Sequence, residues 1–294
     1  MATVNAGAKF PSTLVSEMFD AVRGHSALAK LSDQTPLPFN GVTEMVFNAS
    51  GEAQLVGEGD PKAAGNATVD AKVIKPVKFV YQQRVSDEFV NASEEGQLPY
   101  LVAFAEGFAR KIARGFDIAA IHGLEPATKT AASFRSTNSF DGLVTNKVTY
   151  VAASIDQNIN AAIAAISDGE VNGLALSQTA GGALAEIASN GVYQYPEFRF
   201  GQNPDSFYGM KSDVNNTVEV IATGGKADHA IVGDFANAFK WGYSKDIPLE
   251  VIQYGDPDGA GHDLKQYNEV CLRAEAYIGW GILDKDAFGL VQEA

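Results

Sequence analysis

The sequence feature that most constrains the fold is a long pair of extended segments between residues 39 and 85. Residues 71–84 alternate Val and aromatic side chains with lysines in the period of two that is typical of a β-strand. Residues 57–66 contain glycines and a proline, which favour a turn between the two arms. A two-stranded ribbon is marginal alone in water, so it must pack on its own domain or on a neighbouring molecule.

A long helix follows the predicted hairpin. Apolar residues at steps of three and four, including Phe108, Ile112 and Phe116, predict a helix from about residue 98 to residue 122. Gly123 would end it. Such a helix spans roughly 37 Å, which is long for a compact domain.

The rest of the chain alternates shorter elements. Residues 173–176 and 179–189 predict a strand followed by a helix, which indicates a small α/β unit. The other predicted helices cover residues 13–24, a short turn at 26–31, a segment after residue 86, and 154–166. The other predicted strands cover residues 218–222, 230–232, 238–243, 249–252 and a long segment at 264–282.

Composition excludes several classes of protein. The chain has 294 residues, a net charge of −14 and a single cysteine, so a disulfide scaffold and a cysteine-based zinc ribbon are ruled out. The negative charge argues against a general nucleic-acid binder, which needs a basic footprint. The sequence contains no apolar run long enough for a membrane span and no secretory signal, so we expect a protein made in a reducing cytosol.

No metal motif is found by spacing. The four histidines lack the spacing of a zinc helix motif: His25, His122, His229 and His262. Three aspartates flank glycines near residue 260 but lack the spacing of a calcium loop, so solvated turn residues are the favoured interpretation: Asp256, Asp258 and Asp263. The sequence therefore predicts no metal and no cofactor.

No catalytic motif is found either. Gly181 and Gly182 lie near a strand-to-helix junction, where either an anion site or close packing would explain them. Cys271 lies between Val270 and Leu272 in a predicted strand, which favours a buried thiol over a nucleophile. We therefore predict that the chain is not an enzyme.

The order of the elements, an extended arm, a hairpin, a long helix, an α/β insertion and a long final strand, resembles that of tailed-bacteriophage major capsid proteins of the Hong Kong 97 type. Short segments support the resemblance across nearly the whole chain. They are Val-Gly-Glu-Gly at 56–59 with Lys62, Val77 to Glu88, Phe-Tyr-Gly-Met at 207–210, Ile-Val-Gly-Asp-Phe at 231–235, residues 272–281, and Asp-Ala-Phe at 286–288.

The resemblance implies an α+β fold of the Hong Kong 97 type. Its expected parts are an N-terminal arm at 1–38 and an extension-loop β-hairpin at 39–85. A peripheral domain with the long spine helix would combine residues 86–152 and 256–294, and an axial α/β domain would be inserted at 153–255. A neighbouring subunit in a shell would then support the hairpin.

The implied function is that of a major capsid protein. It would self-assemble into hexamers and pentamers that form an icosahedral or prolate shell around double-stranded DNA, in a virion assembled in the host bacterial cytoplasm. Its partners would be other copies of itself, the packaged DNA by non-specific proximity, and separate scaffolding, portal and decoration proteins, with no membrane. The charged residues nominated for contacts between subunits lie in the hairpin region: Glu58, Asp60, Lys62, Lys72, Lys75 and Lys78.

Some relatives of this type join subunits by a Lys–Asn isopeptide bond assisted by a glutamate. Lys62 and Asn268, with Glu269 or Glu275, could be nominated here, although ordinary lysine and asparagine roles are favoured. Two other functions stay open. One is an encapsulin-like nanocompartment shell, and the other is an unrecognised α/β enzyme built on residues 173–189.

Overall fold

The computed structural model describes residues 25–50, 55–58, 66–88, 94–166, 169–222, 225–243 and 249–294. The helices are α1 (Ala27–Leu31), α2 (Glu94–His122), α3 (Phe140–Leu143), α4 (Ile155–Ala164) and α5 (Gln178–Glu186). The predicted helix at 13–24 lies outside the described residues, as does most of the one predicted after residue 86.

The strands run along the whole described chain. They are β1 (Gln34–Pro36), β2 (Val42–Ser50), β3 (Asn66–Ile74), β4 (Val77–Ser86), β5 (Lys147–Thr149), β6 (Gly173–Leu176), β7 (Ala188–Ser189), β8 (Val192–Tyr193), β9 (Ser206–Phe207), β10 (Met210–Val214), β11 (Asp228–Gly233), β12 (Phe239–Tyr243), β13 (Leu249–Ile252), β14 (Glu269–Ile282) and β15 (Phe288–Gln292).

The first sheet is organised around β14, the longest described strand. Along one edge β14 pairs antiparallel with β4, from Glu269 opposite Ser86 to Ile278 opposite Val77. Along its other edge it pairs antiparallel with β13 and then with β12, and β1 adds to β12 in parallel. The side chains of β14 are mostly buried on both faces, which agrees with the near-continuous apolar composition of its second half.

Helix α2 covers this sheet. Phe108, Ile112 and Phe116 are buried at helical spacing, so the predicted stripe is confirmed for these positions. The Phe116 ring lies 5.7 Å from the Trp280 ring of β14 and 5.3 Å from the Trp241 ring of β12. Both indoles are buried and donate to backbone carbonyl oxygens, so the core buries their large apolar area without leaving an N–H unpaired.

The second sheet has the order β5-β15-β11-β6-β10-β9. Its buried strands β6 and β11 pair antiparallel, and α4 and α5 contribute apolar side chains to a separate core with them. Tyr208 and Gly209 join β9 to β10 with positive φ angles of 48° and 87°. Two successive left-handed residues suit a tight antiparallel turn at this segment, which is one of those that carry the family resemblance.

The pairing of strands does not follow the predicted domain boundaries throughout. β12 and β13 lie within 153–255 but pair with β14 of the first sheet, whereas β15 lies within 256–294 but pairs with β11 of the second. The chain therefore passes from β14 in the first sheet to β15 in the second sheet. The division into arm, extension loop, peripheral domain and axial domain stays a prediction.

Three predicted strands differ from the structure. The long segment predicted at 264–282 becomes a strand only from Glu269, because Leu264–Tyr267 form a 3-10 turn. The run at 71–84 is split at Lys75 and Pro76: its first part pairs with β2, and its second part joins β14. Pro76 has no N–H to donate to a ladder, so the break falls at this position. The predicted strand at 218–222 is wrong, because residues 216–219 form a turn in which the backbone N–H of Thr217 donates to the Asn215 side chain.

Candidate functional site

A continuous apolar stripe covers one face of the β2–β3 ribbon. Phe47 lies opposite Val69, Met45 opposite Ala71, and Val73 follows two residues further along, so these side chains share a face. Met45 is 74% exposed and Phe47 67% exposed, and Val69 and Val73 are also more than half exposed. We call Met45, Phe47, Val69 and Val73 the ribbon face. Its large apolar residues have no cover within the described part of the subunit.

The base of the ribbon is held to its own subunit by the opposite face. Ile74 is buried, and its side chain lies over Gly281 of β14, where a Cβ atom would come within 2.8 Å of Ile74 Cγ1. Glu44 pairs with Lys240 of β12 at 3.0 Å. The ribbon is therefore anchored at one end, while the ribbon face points away from the subunit.

The turn region of the hairpin is described only at residues 55–58. Leu55 is fully exposed and Val56 is partly exposed, so the apolar character of the ribbon continues toward its tip. Glu58, a nominated contact residue, is exposed. Asp60 and Lys62, which were also nominated, lie outside the described residues.

Three of the four nominated lysines of the hairpin region lie in the described residues, and their surroundings differ. Lys72 and Lys75 are exposed, and neither has an ion pair with any residue that the structure describes. Lys78 instead pairs with Glu275 of the same chain at 2.5 Å, and this hydrogen bond raises the pKa of the Lys78 ammonium. Lys72 and Lys75 are thus the lysines of this set whose charge is open to another molecule.

Arg84 organises the loop that follows β13. Its guanidinium donates to Asp256 at 2.6 Å, to Glu269 at 3.0 Å and to Asp258. These hydrogen bonds lower the pKa of the Asp258 and Glu269 carboxyls. The aspartates expected as solvated turn residues therefore include two that bind an internal cation, and sequence spacing alone does not show that Arg84 reaches them.

The residues nominated for a covalent bond between subunits have ordinary structural roles. Asn268 has the left-handed conformation, with φ of 57°, and its carbonyl oxygen accepts from the Asp87 N–H. Glu269 is bound by Arg84, and Glu275 is bound by Lys78. Both glutamates that could assist such a bond are thus held in ion pairs, so the ordinary interpretation favoured from the sequence is also favoured by the structure.

The features of the enzyme alternative are explained by packing. Gly181 lies in α5, where a Cβ atom would come within 3.1 Å of Val214 Cγ1, so close packing accounts for this glycine. The Ser177 hydroxyl lies 3.2 Å from His229 Nδ1, but it is buried and accepts the Ala180 N–H as the N-cap of α5. Cys271 is buried as expected, and burial raises the pKa of its thiol.

Three ionisable side chains that sequence spacing does not connect lie together in the interior: His122, Asp141 and Asp228. They come from the end of α2, from α3 and from β11, so only the tertiary fold brings them within reach of one another. The prediction of no metal site rested on local spacing and did not consider this set. No described helix has the length and hydropathy of a membrane-spanning segment.

Comparisons with known proteins identify related chains. A family model described as the phage capsid family matches residues 6–292. A search of curated proteins found no match. A solved structure from Mycobacterium phage Ogopogo is 34% identical with a TM-score of 0.77, and the match covers 92% of each chain.

More distant solved structures have the same fold. A chain from Gordonia phage Cozz is 26% identical with a TM-score of 0.70, covering 91% of this chain and 86% of that one. A chain described as the capsid of a native GTA particle is 18% identical with a TM-score of 0.62, covering 91% and 90%. At this lower identity the likeness concerns the fold alone.

Proposed function

This chain belongs to the phage capsid family and is a major capsid protein with the Hong Kong 97-type fold, and from that premise we propose how its surfaces join one copy to the next. The ribbon face binds a neighbouring subunit of the shell. The observation that carries this proposal is the set of four large apolar side chains of the ribbon face, which stay exposed on a ribbon whose described anchor lies at its base.

The energetics favour a partner for this face. Burying one large aliphatic or aromatic side chain contributes about 1.5–3 kcal/mol, so the ribbon face offers several such contributions to a contact between copies. In the isolated subunit, no described residue covers the side chains of the ribbon face. In a ring of identical copies each subunit would give one ribbon and receive one, so the contacts close around the ring.

We further propose hexamers and pentamers as the assembling units, in an icosahedral or prolate shell around double-stranded DNA. Membership of the phage capsid family supports this arrangement. Assembly in the host cytoplasm, with separate scaffolding, portal and decoration proteins, belongs to the same proposal, as does the absence of an enzymatic role. The comparisons do not favour the encapsulin-like shell or the α/β enzyme.

Charged residues around the ribbon would set the register of the contact rather than its strength. Glu58, Lys72 and Lys75 are exposed in the hairpin region, with Lys72 on the side of β3 opposite the ribbon face, and none has an ion pair with a described residue. Asp60 and Lys62 belong to the same proposal. Because the subunit carries a net charge of −14, copies repel one another over a screening length of about 8 Å at physiological salt, and added salt should promote assembly.

Two neighbouring residues of β3 provide a matched test. Val69 lies on the ribbon face, and Thr68 lies on the opposite face of the same strand, where it is also exposed. Val69→Glu would bury an unpaired carboxylate in the contact and should lower the yield of shells roughly tenfold or more, while Thr68→Glu should assemble as the unmodified protein does. Electron microscopy and sedimentation of purified protein measure the yield.

Circular dichroism of the unassembled subunits is the control, and both variants should match the unmodified protein. Equal assembly of Val69→Glu and Thr68→Glu, at either a high or a low yield, would contradict the proposal, because the side of the ribbon would then not matter.

A further inference from the structure

His122, Asp141 and Asp228 converge at the point where the C-terminal end of α2 meets α3 and β11. His122 Nδ1 lies 3.3 Å from Asp141 Oδ2 and 3.5 Å from Asp228 Oδ2. The three donor atoms lie within 4.8 Å of one another. We propose that these side chains form an internal binding site for a divalent transition-metal ion of the Zn²⁺ type.

The tautomer of His122 leaves the required lone pair in the right place. Its Nε2 lies 2.9 Å from the carbonyl oxygen of Thr217, which only accepts, so Nε2 carries the proton. A neutral His122 then has its lone pair on Nδ1, whereas a proton on Nδ1 would bond Asp141 Oδ2 and would be released when an ion binds. A second ring nitrogen that donates to a backbone carbonyl is the usual support of a metal-binding histidine.

The donor spacing fits a tetrahedral ion. Bonds of about 2.0–2.1 Å to nitrogen and oxygen place neighbouring ligand atoms roughly 3.3 Å apart around Zn²⁺. The distances of 3.3 Å and 3.5 Å from His122 Nδ1 to the two carboxylate oxygens match this separation of ligand atoms. They are also longer than good charge-assisted hydrogen bonds, which are about 2.7–2.9 Å.

Two buried carboxylate oxygens of this cluster accept no hydrogen bond from any described donor. Asp228 is completely buried, and no such donor reaches its Oδ2, while its Oδ1 accepts from Gln292 Nε2 at 2.9 Å. Asp141 Oδ1 likewise has no described donor. A buried carboxylate oxygen without a donor is costly, and an ion bound at Asp228 Oδ2 would satisfy it.

Arg135 and Lys147 lie near the cluster but make no described hydrogen bond to its carboxylates. Arg135 Nη2 lies 3.8 Å from Asp141 Oδ2, and its side chain is 37% exposed. The Lys147 ammonium donates to the backbone carbonyl oxygen of Asp141. A proton shared between the Asp141 and Asp228 carboxyls is the natural competitor of the ion, because metal ligands must be deprotonated.

An ion at this position would act as a structural crosslink. It would join the end of the long helix to β11, and through β11 to the second sheet, at a point where the first core contacts that sheet. Asp141 is the most exposed side chain of the three, at 7%. Binding to the folded subunit alone would stabilise it against unfolding.

The test uses the full-length protein, unassembled and freed of metal by a chelator, with Co²⁺ and Zn²⁺ as probes. We expect one Co²⁺ per chain with the visible absorption of a tetrahedral site, displaced by Zn²⁺, and a melting temperature that rises with Zn²⁺ but not with Mg²⁺. Asp228→Asn should weaken Co²⁺ binding roughly tenfold or more. His25→Asn, at an exposed histidine outside the cluster, should bind as the unmodified protein does.

Asp141→Asn is the second variant and should weaken Co²⁺ binding as Asp228→Asn does. The melting temperature of the unmodified protein with Zn²⁺ tests the proposal even if neither variant folds. A melting temperature that is the same with Zn²⁺, with Mg²⁺ and with chelator would overturn the proposal and assign the cluster to a shared proton. Co²⁺ binding that survives in both Asn variants would also overturn it.

Discussion

The β2–β3 ribbon and strand β14 are both long extended segments, yet they are stabilised in different ways. β14 pairs along both edges, and the side chains on its α2-facing side are buried along its length. Within the described residues the two ribbon strands pair with each other, and the ribbon face is exposed. β14 is thus stabilised inside the subunit, whereas the ribbon keeps apolar area available for another copy.

The largest effect that distinguishes the two regions concerns aromatic residues. Trp280 of β14 is buried against Phe79, Phe116 and Phe134, so Trp280→Ala should lower the free energy of unfolding by about 3–5 kcal/mol. Phe47→Ala on the ribbon should change it by no more than about 0.5 kcal/mol in the unassembled subunit. Urea unfolding followed by fluorescence and circular dichroism measures both.

The comparison of β14 with the ribbon would break if Phe47→Ala destabilised the unassembled subunit as much as Trp280→Ala. In that case the ribbon face would be packed within the subunit. Phe47→Ala should instead show its effect only in assembly.

The second largest effect is expected at Asp117 of α2. This carboxyl is buried and accepts hydrogen bonds from Ser26 and Thr217, and burial raises its pKa from 3.8 to about 6. Because the pKa is raised in the folded state, its contribution to stability is complete below about pH 4 and is lost as the pH rises through 6. The unmodified protein should therefore lose about 3 kcal/mol relative to Asp117→Asn between pH 4 and pH 7.

Urea unfolding of both proteins across this pH range measures the difference. The pH dependence concerns only the interior, so Val69→Glu subunits should show the same loss as the unmodified protein. A difference between the unmodified protein and Asp117→Asn that stays constant with pH would contradict the account of this site.

A smaller effect is expected at the N-cap of α5, the helix that packs on the second sheet. The Ser177 hydroxyl accepts the Ala180 N–H at 3.0 Å at the start of α5. Ser177→Ala should lower the free energy of unfolding by about 1 kcal/mol, the usual value of an N-cap. The melting temperature measures this loss. Gln178→Ala, at the exposed first residue of α5, is the control, and equal losses in the two variants would contradict the capping role.

The sequence predicts these two regions unequally, for physical reasons. The helical spacing of apolar residues predicts α2, because this signal is local. The break at Pro76 was missed, since the same alternation continues on both sides of it while the partner strand changes. Alternation specifies a strand but not the strand with which it pairs.

Sequence spacing also missed the residues that depend on distant pairing. Arg84 reaches the loop at 255–263 only because β4 lies beside β14, and Asp228 reaches His122 only because β11 passes the end of α2. The apolar composition of the ribbon was visible in the sequence. That its apolar side chains are exposed required the structure.

Oxidation of Met45 tests the central claim most directly. Met45 is largely exposed on the ribbon face, so dilute hydrogen peroxide should convert it readily to the sulfoxide in unassembled subunits. In assembled shells, with N-acetylmethionine added to report the peroxide dose, peptide mass spectrometry should find Met45 oxidised several-fold more slowly, because a neighbouring subunit covers it. Equal oxidation of Met45 in subunits and in shells would contradict the account.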